Sequence, residues 1–394
     1  MLVLRNCRLI KGLVEDFNEE MADIVIEDDK IVNILPCNNL LHQESQVLDM
    51  EGKFVLPGLM DIHVHLTLSA GDVMVDCAKS KIKQALDGLK FAQDTLEAGF
   101  TTIRDVGASN KVAIEIRDSI NSNMLIGPNI IACGRIITPT ENGNDFFKGL
   151  YLETDKPDDM IKSVRQCMKE GADFIKLMGS GSVMNPGGIP GQTICTEEEY
   201  ESIVKAATFK NTYVAVHCHG TEAMKSAIRA GVRTIEHASL LDDECIELLE
   251  KSNSFIVPTL SAAEALMSSL PESSIFMKEK AEAVKKGIVD GVKKAYEKGL
   301  IIGLGTDQGI TGLYHGDNAR ELELRKEWLG MEEIDIIKQA TINNAIIMNK
   351  EDELGTIKVG KIADIIAVEG NPLMDISVIR NNVVKVIKSG KIII

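Results

Sequence analysis

Six side chains that can bind metal ions are spread along the 394-residue chain, most of them where a short apolar run ends. They are His63, His65, Lys176, His217, His237 and Asp307. Imidazole nitrogen and carboxylate oxygen are common ligands of zinc and similar divalent ions. Four imidazoles, one amine and one carboxylate can together hold two divalent metal ions with one bridging group. The set points to hydrolysis by metal-activated water.

The first candidate pair is His63 and His65, in the apolar run at residues 59–66. Residues two apart in a strand point to the same face, so both imidazoles can reach one ion. Either histidine alone would more often be a hydrogen-bonded core residue. The pair favours a metal site, because barrel enzymes carry their chemistry at the carboxyl ends of their strands.

Lys176 lies inside the apolar run at residues 174–178, where a buried ammonium is costly. Three interpretations are open. The lysine can pair with a buried acid, or it can form a Schiff base, because burial lowers the pKa of an amine. Its neutral amine can also take up carbon dioxide. The resulting carbamate is negative and has two oxygens, so it can bridge two cations. The surrounding metal-ligating residues favour the carbamate.

Further candidates follow later apolar runs. His217 and His219 share one face of a strand, and we interpret His217 as a metal ligand and His219 as a substrate contact. His237 and Asp307 each come directly after such a run. A carboxylate at position 307 can bind a metal and accept the proton of the attacking water. The alternative for Asp307 is a turn or a helix cap.

Parallel strands are needed to bring these side chains together. From residue 58 onward, strand-like runs alternate with helical stretches. The eight runs are residues 59–66, 101–106, 129–137, 174–178, 214–217, 234–236, 255–259 and 300–305. This alternation predicts an α/β fold with a parallel sheet, and eight units predict a closed (β/α)8 TIM barrel. A doubly wound open sheet is the alternative, but no glycine-rich phosphate loop follows the first strand.

The two ends of the chain have a different pattern. Residues 1–57 and 355–394 contain short strands separated by turn residues, and we predict that they pair into one composite β-sandwich domain. The metal-binding catalytic barrel at residues 58–354 is then inserted between them. Helical patterns at residues 261–294 and 322–328 are predicted to cover the barrel, and either surface can support a homo-oligomer.

Composition excludes several classes of partner. Lys+Arg 43 against Asp+Glu 59 gives a net charge of −16, which argues against nucleic acid and anionic membranes. The eight cysteines are scattered without a Cys-x-x-Cys pair, as is typical of a reducing cytoplasm. The N-terminus does not resemble a signal peptide, and no run of eighteen apolar residues is present. We therefore predict a cytoplasmic protein with a small-molecule substrate.

The order of these motifs resembles the amidohydrolase superfamily over nearly the whole chain. Residues 57–65 (PGLMDIHVH) are similar to its opening motif, and residues 360–368 (GKIADIIAV) to its returning β-domain segment. Residues 173–176 (DFIK) and 216–220 (VHCHG) resemble the branch of metal-dependent carboxypeptidases and prolidases. That branch cleaves dipeptides or N-acyl amino acids with two zinc ions bridged by a carboxylated lysine.

The resemblance implies a role for each ligand. It implies His63 and His65 on the first metal, and His217 and His237 on the second. It also implies Lys176 as the bridging carbamate, and Asp307 as ligand and general base. One loop departs from the pattern: residues 140–145 contain no histidine, whereas many relatives have one there that helps to hold the substrate carboxylate.

We therefore expect hydrolysis of an amide bond, with substrate contacts predicted at His219, Tyr151, Arg104 and His315. Arg104 has the alternative of a buried pair with Asp105, and His315 that of a surface residue. Hydrolysis of an ester, a lactone, a cyclic amide or a phosphotriester at the same centre is the first alternative function. A Schiff-base lyase using Lys176 and a metal-free interaction scaffold are the others.

Overall fold

The computed structural model describes residues 1–37, 46–182, 189, 191–269 and 275–394, with side chains described except at 269 and 275–281. The chain divides into two compact units. The first contains residues 1–61, 93–102 and 316–394, and the second contains residues 62–92 and 103–315. All six predicted metal ligands belong to the second unit. The predicted domain boundaries near residues 57 and 355 stay a prediction.

The described residues form seventeen strands. They are β1 (Leu2–Leu9), β2 (Met21–Glu27), β3 (Lys30–Pro36), β4 (Gln46–Asp49), β5 (Phe54–Pro57), β6 (Leu59–Val64), β7 (Phe100–Asp105), β8 (Asn129–Ala132), β9 (Ile136–Thr138), β10 (Tyr151–Glu153), β11 (Ile175–Met178), β12 (Val214–Cys218), β13 (Thr234–His237), β14 (Phe255–Val257), β15 (Ile365–Val368), β16 (Val383–Lys388) and β17 (Lys391–Ile392).

The helices lie mostly between the strands of the second unit and near the end of the chain. They are α1 (Val73–Ala78), α2 (Lys81–Glu97), α3 (Val112–Asn121), α4 (Pro157–Lys169), α5 (Glu197–Thr208), α6 (Thr221–Ala230), α7 (Asp243–Glu250), α8 (Leu260–Ser269), α9 (Ile275–Glu297), α10 (Arg320–Leu329), α11 (Glu333–Lys338), α12 (Asn344–Ile347) and α13 (Val378–Asn381). A 3-10 turn at Asn144–Phe146 and a π-helical turn at Gln339–Asn343 are added to these. Within the described ranges, no helix is both long and apolar enough to cross a membrane.

Local sequence explains where several helices begin. Thr196 caps α5 through its hydroxyl, and Glu199 completes a capping box by bonding back to the Thr196 amide. Helix α4 begins at Pro157, whose missing N–H costs nothing in a first turn. Asp242 caps α7 by accepting a hydrogen bond from the Cys245 amide at 2.8 Å. These starts fix helices that follow strands in the second unit.

The first unit contains one eight-stranded sheet built from both ends of the chain. Its strand order is β17-β16-β15-β5-β1-β2-β3, and β4 pairs with β1. Its apolar core includes Leu4 and Ile24 from one end of the chain and Ile365 and Ile387 from the other. The strands of the two termini therefore share one sheet and one core. A sandwich requires a second sheet facing this one, so the β-sandwich stays a prediction.

The second unit is built on parallel strands, including the carboxyl-terminal halves of β6 and β7 at residues 62–64 and 103–105. They form a three-stranded sheet, β6-β7-β8, and a six-stranded sheet, β10-β9-β11-β12-β13-β14. Every residue of β6, β7, β11, β12 and β13 is buried. Parallel strands covered on both faces read as continuous apolar runs, which is why these strands could be predicted from the sequence.

Two predicted strands differ from the structure. The run at residues 129–137 is divided into β8 and β9, because Gly134 adopts a left-handed conformation with φ of 71° between them. The run at residues 300–305 is extended but is not a regular strand. A Cβ atom at position 305 would be only 2.6 Å from the Cβ atom of His63 in β6. The absence of a side chain at Gly305 therefore lets the backbone of this segment lie close to β6.

Hydrogen bonds nevertheless link the edges of the two parallel sheets. Isolated parallel bridges pair Ile302 with Ile256 and Gln308 with Val64, so residues 302–308 lie between β14 and β6. A second link is the hydrogen bond from the Asp173 amide to the Ala132 carbonyl at 2.8 Å, which joins the residues just before β11, an interior strand of the six-stranded sheet, to the end of β8. The carboxyl ends of the parallel strands consequently face a common region.

Candidate metal centre

The predicted ligands lie at the carboxyl ends of the parallel strands or close to them. His63 is the penultimate residue of β6, and His65 follows that strand directly. Lys176 lies in β11, His217 in β12, and His237 is the last residue of β13. Side chains from four separate strands are thereby brought to one end of the second unit.

His63, His65 and Asp307 form the first group of candidate ligands. One ligand atom from each lies within 4.8 Å of the others, and all three residues are buried. The Nε2 atoms of both histidines are 3.3 Å from Oδ1 of Asp307. The Asp307 amide donates to the His63 carbonyl at 2.8 Å, which fixes the aspartate beside β6. Two imidazoles and a carboxylate around one point are a suitable ligand set for a divalent ion.

His217, His219 and His237 form the second group. Their ligand atoms also lie within 4.8 Å of one another. The ring centroid of His217 is 4.6 Å from that of His219 and 4.6 Å from that of His237. All three imidazoles are close enough to share one ion. His219, predicted as a substrate contact, thus has metal binding as a second candidate role.

Lys176 lines the same cavity as the ligands, and its residue is only 2% exposed. Burial lowers the pKa of its amine, although the nearby carboxylates of Glu236 and Asp307 act in the opposite direction. A lowered pKa increases the neutral fraction, which is the nucleophilic form of an amine. The neutral amine is also the form that the predicted carbamate requires.

Four of the histidines are oriented by a hydrogen bond at Nδ1. The pairs are His63 with Glu236 Oε2 at 2.7 Å, His65 with the Gly107 carbonyl at 2.7 Å, His219 with Ser239 Oγ at 2.7 Å, and His237 with Thr259 Oγ1 at 2.8 Å. A ligand histidine in a metalloprotein characteristically uses its second ring nitrogen in this way. With Nδ1 engaged in this way, Nε2 is the ring nitrogen that would face a metal.

His217 supplies a direct test of whether the residues fit a metal. Its Nε2 is buried and has no hydrogen-bond partner within the described parts of the chain. A buried polar atom without a partner is costly and requires an explanation. Coordination of a metal ion at this nitrogen explains it, so the donor set fits the metals that the sequence predicts.

Three of the candidate imidazoles and the candidate carboxylate have the charge states that metals require, whereas at His65 burial is outweighed by the hydrogen bond with Asp307, which raises the pKa of the imidazole. Burial lowers the pKa of His219 to about 4, so its imidazole is neutral at pH 7. Burial, followed by the positive charge of neighbouring groups, moves the pKa of His217 and of His237 well below the usual range. Burial opposes ionisation of Asp307, but His63 and His65 outweigh it and hold the pKa of its carboxyl well below normal. Neutral imidazoles and an ionised carboxylate are the ligating forms.

A cavity of about 550 Å³, including space open to solvent, lies in front of the ligands. Besides the candidate metal ligands and Ser182, its lining is apolar or aromatic: Leu68, Val73, Ile136, Phe147, Leu150, Tyr151, Met178 and Ile310. Tyr151 also lines a second, adjoining pocket together with Glu141. Its predicted contact with substrate is consistent with this position and stays a prediction.

The other two predicted substrate contacts do not line the cavity. His315 stacks on Phe91, with ring centroids 4.8 Å apart, and its Nε2 lies 3.0 Å from the Leu68 carbonyl. Arg104 is fully buried, and its Nη2 donates to Glu236 Oε1 at 2.8 Å. A contact between substrate and either residue stays a prediction that these positions disfavour.

The alternative interpretation of Arg104, an ion pair with Asp105, is wrong. The carboxylate of Asp105 instead accepts hydrogen bonds from the backbone amides of Leu66 at 2.8 Å and Gly107 at 3.2 Å. Adjacent residues of a strand point to opposite faces, so the two side chains of β7 diverge.

The sequence interpretation missed the residues that orient the histidines. Glu236 carried a usable signal, because an acid within the buried run of β13 needs a partner. Burial opposes ionisation of Glu236, but Arg104 and His63 outweigh it and lower the pKa of its carboxyl to about 2. Ser239 and Thr259 carried no such signal, since a single hydroxyl residue just after a strand is common in any protein.

The parallel strands and the candidate ligands near their carboxyl ends agree with the family to which the sequence belongs. The sequence model of the amidohydrolase family matches residues 54–393, and the chain belongs to this family. The resemblance seen in the motifs is therefore confirmed. The chain is an enzyme, a metal-dependent hydrolase of carbon–nitrogen bonds of the amide or peptide type.

The chain is also similar to one individual relative and to two solved enzyme structures. The chain is 29% identical to ochratoxinase from Aspergillus niger over 371 residues, covering 86% of this chain and 75% of that protein. The crystal structure of a Xaa-Pro dipeptidase with bound methionine in the active site is 36% identical, with 99% of both chains covered and a TM-score of 0.89. A prolidase complexed with N-methylphosphonate-L-proline is 29% identical, with 100% of this chain and 99% of that one covered and a TM-score of 0.88.

Proposed function

We propose that this chain is a binuclear metal-dependent amidohydrolase that cleaves a dipeptide or an N-acyl amino acid. The observation that carries the proposal is the presence of two groups of candidate metal ligands beside one largely apolar cavity that Lys176 also lines. The relatives named as dipeptidase, prolidase and ochratoxinase support amide bonds as the target.

The residues would hold two divalent ions, zinc in this proposal. His63, His65 and Asp307 would hold the first ion. His217 and His237 would hold the second, and His219 lies close enough to add a third imidazole. Lys176 would bridge both as a carbamate formed from carbon dioxide. When bound, the ions would lower the pKa of water towards 7 and polarise the substrate carbonyl.

Asp307 is the proposed general base. Its carboxylate is ionised, lines the cavity and is held by the backbone of β6, so it can take the proton of the attacking water. Having gained that proton, it can deliver it to the nitrogen of the breaking amide bond. The leaving amine needs this proton because an amide anion is too basic to depart.

The lining of the cavity supports an apolar group on the substrate. Apolar walls next to a few polar groups are typical of small-molecule sites, where the walls contribute binding and the polar groups fix orientation. The adjoining pocket contains Glu141 and, in its described lining, no lysine, arginine or histidine. We propose that this second pocket receives an uncharged or amine-bearing part of the substrate, which agrees with the absence of a histidine at residues 140–145.

We infer further that the two parallel sheets close into one eight-stranded barrel. The bridges made by residues 302–308 support closure on one side, and the bond between the Asp173 amide and the Ala132 carbonyl supports it on the other. These contacts would complete a ring of β6, β7, β8, β11, β12, β13, β14 and the extended segment.

The proposal also includes the location of the enzyme in the cell. All eight cysteines are free, which supports the reducing, cytoplasmic location that we propose. A homo-oligomer formed through residues 261–294 or 322–328 stays a prediction.

The test begins with metal-free protein in buffer stripped of carbon dioxide. Zinc is added with and without bicarbonate, and Xaa-Pro dipeptides, other dipeptides, N-acetyl amino acids, lactones and esters are assayed. We expect amide hydrolysis that requires both zinc and bicarbonate. Faster turnover of lactones or esters would favour the alternative substrates. Chelator-insensitive activity that borohydride abolishes would establish the Schiff-base alternative instead.

A matched pair of variants isolates the bridging lysine. Lys176→Met keeps the length of the buried side chain but cannot form a carbamate, so we expect loss of activity and of bound zinc. Lys251→Met makes the same change at a side chain that is 74% exposed and should leave both unchanged. Full activity of K176M with two zinc ions bound would exclude the bridge.

A further inference from the structure

The fully buried ion pair between Glu236 and Arg104 has no part in the mechanism described above. Both side chains are 0% exposed, and the guanidinium Nη2 donates to Glu236 Oε1 at 2.8 Å. The other carboxylate oxygen, Oε2, lies 2.7 Å from Nδ1 of His63. One carboxylate therefore connects a buried cation to a ligand of the first group.

Arg104 also holds the strand on which that ligand lies. Its Nε donates to the carbonyl of Ile62, the residue before His63, at 2.7 Å. Its Nη1 lies 3.3 Å from Thr234 Oγ1, on the same strand as Glu236. The guanidinium thus fixes the backbone beside His63 and the carboxylate behind its ring. A rigid fork of donors is suited to joining two strands in this way.

The partner of His63 differs in kind from those of the other oriented histidines. His65 is bonded to a carbonyl, and His219 and His237 are bonded to hydroxyls. Only His63, among these four rings, has a carboxylate as the partner of its Nδ1. A hydrogen bond to an ionised acceptor is roughly twice as strong as one between neutral groups, and it increases the basicity of the ligand nitrogen.

We propose that Glu236, held in place by Arg104, is a positioning residue that orients His63 and strengthens metal binding at the first group relative to the second. The inference rests on the proposed function, because it requires the two groups to bind metal. It assigns Arg104 a supporting position behind the ligands in place of the predicted contact with substrate.

The direct test is the variant Glu236→Gln, which keeps the shape of the side chain and removes its charge. Zinc bound per chain is measured by elemental analysis after equilibration against a graded series of chelator-buffered free zinc concentrations. We expect one of the two ions to bind about 10- to 100-fold more weakly, the range found when such outer partners are removed, while the other ion keeps its affinity.

A matched control separates positioning from stability. Glu321 and Arg325 form another fully buried ion pair, with Arg325 Nε 3.1 Å from Glu321 Oε1, in the first unit. Glu321→Gln makes the same chemical change away from the metal ligands and should leave both zinc affinities unchanged. If Glu236→Gln fails to fold, the double variant Arg104→Met, Glu236→Gln decides, because it leaves no unpaired buried charge.

Cobalt in place of zinc gives a second readout that a loss of stability would not change. The visible spectrum of bound cobalt reports ligand geometry, so Glu236→Gln should shift the bands of one ion, whereas Glu321→Gln should not. Unchanged affinity and spectrum in the Glu236 variants, or equal weakening of both ions, would overturn the inference alone. Wild-type protein that binds no metal would overturn the proposed function together with it.

Discussion

Replacing Asp307 with Asn is the sharpest test of the proposed chemistry. The substitution keeps the size of the side chain and removes its ability to accept a proton. Asp307 has a left-handed backbone with φ of 68°, a region that asparagine tolerates better than most residues. The variant should therefore fold normally, and any loss of activity should come from the missing carboxylate.

The magnitude follows from the role of a general base. Such a group typically contributes 10²- to 10⁴-fold to the rate, which corresponds to about 2.7–5.4 kcal/mol of the barrier at 25 °C. Asp307 lies 3.3 Å from Nε2 of both His63 and His65, so its charge would also stabilise the first of the proposed ions. We expect kcat to fall by at least about 100-fold, and the zinc affinity of that ion to fall as well.

The assay measures kcat and bound zinc together, at zinc concentrations that saturate the variant. Asp23→Asn is the matched control, because Asp23 is another buried carboxylate, which accepts a hydrogen bond from the Asn6 amide at 2.9 Å in the first unit. That variant should keep wild-type kcat. Unchanged turnover of D307N with both zinc ions bound would refute the assignment of Asp307 as base.

Three further predictions concern the metals, the cavity and the first unit. Chelation should abolish activity and lower the melting temperature, and zinc should restore both, because ligand binding stabilises the folded state; a calorimetric scan and an activity assay measure this. Met178→Gln makes the buried cavity wall polar at nearly constant volume. It should lower kcat/KM for apolar substrates about 10-fold, and glycine-containing dipeptides are the control substrates. Glu321→Gln should destabilise the protein by about 3–5 kcal/mol in denaturant titration, whereas Glu247→Gln, in an exposed pair 3.8 Å from Lys251, should cost under about 1 kcal/mol.

The sequence could predict that the candidate ligands lie near one another, because strand geometry is local. His63 and His65 are two residues apart in a run that is apolar around them, so their common direction follows from the pleat. Completely buried parallel strands also produce unmistakable apolar runs, as in β11 and β12. The convergence of the ligands then required only that the strands be parallel and adjacent.

Contacts between residues of different strands could not be predicted from the sequence. The pairing of Glu236 with His63 joins residues 173 positions apart, and no local pattern encodes it. The closeness of His219 to His237, with ring centroids 5.0 Å apart, likewise depends on how β12 and β13 are aligned. The extended segment at residues 300–305 was predicted as a strand because its apolar content is the same whether or not its backbone pairs regularly.

The sequence also did not predict that two candidate ligands have a strained backbone conformation. His237 and Asp307, one from each group, have φ of 67° and 68°, a conformation that costs of order 1–3 kcal/mol for residues other than glycine. One backbone hydrogen bond stabilises each of these conformations. The amide of Ala238, the residue after His237, donates to the Cys218 carbonyl at 3.1 Å, and the Asp307 amide donates to the His63 carbonyl at 2.8 Å. Each bond ties the strained residue to a neighbouring strand that carries another ligand or leads into one. The surrounding sheet therefore fixes the backbone at His237 and at Asp307, one candidate ligand from each group.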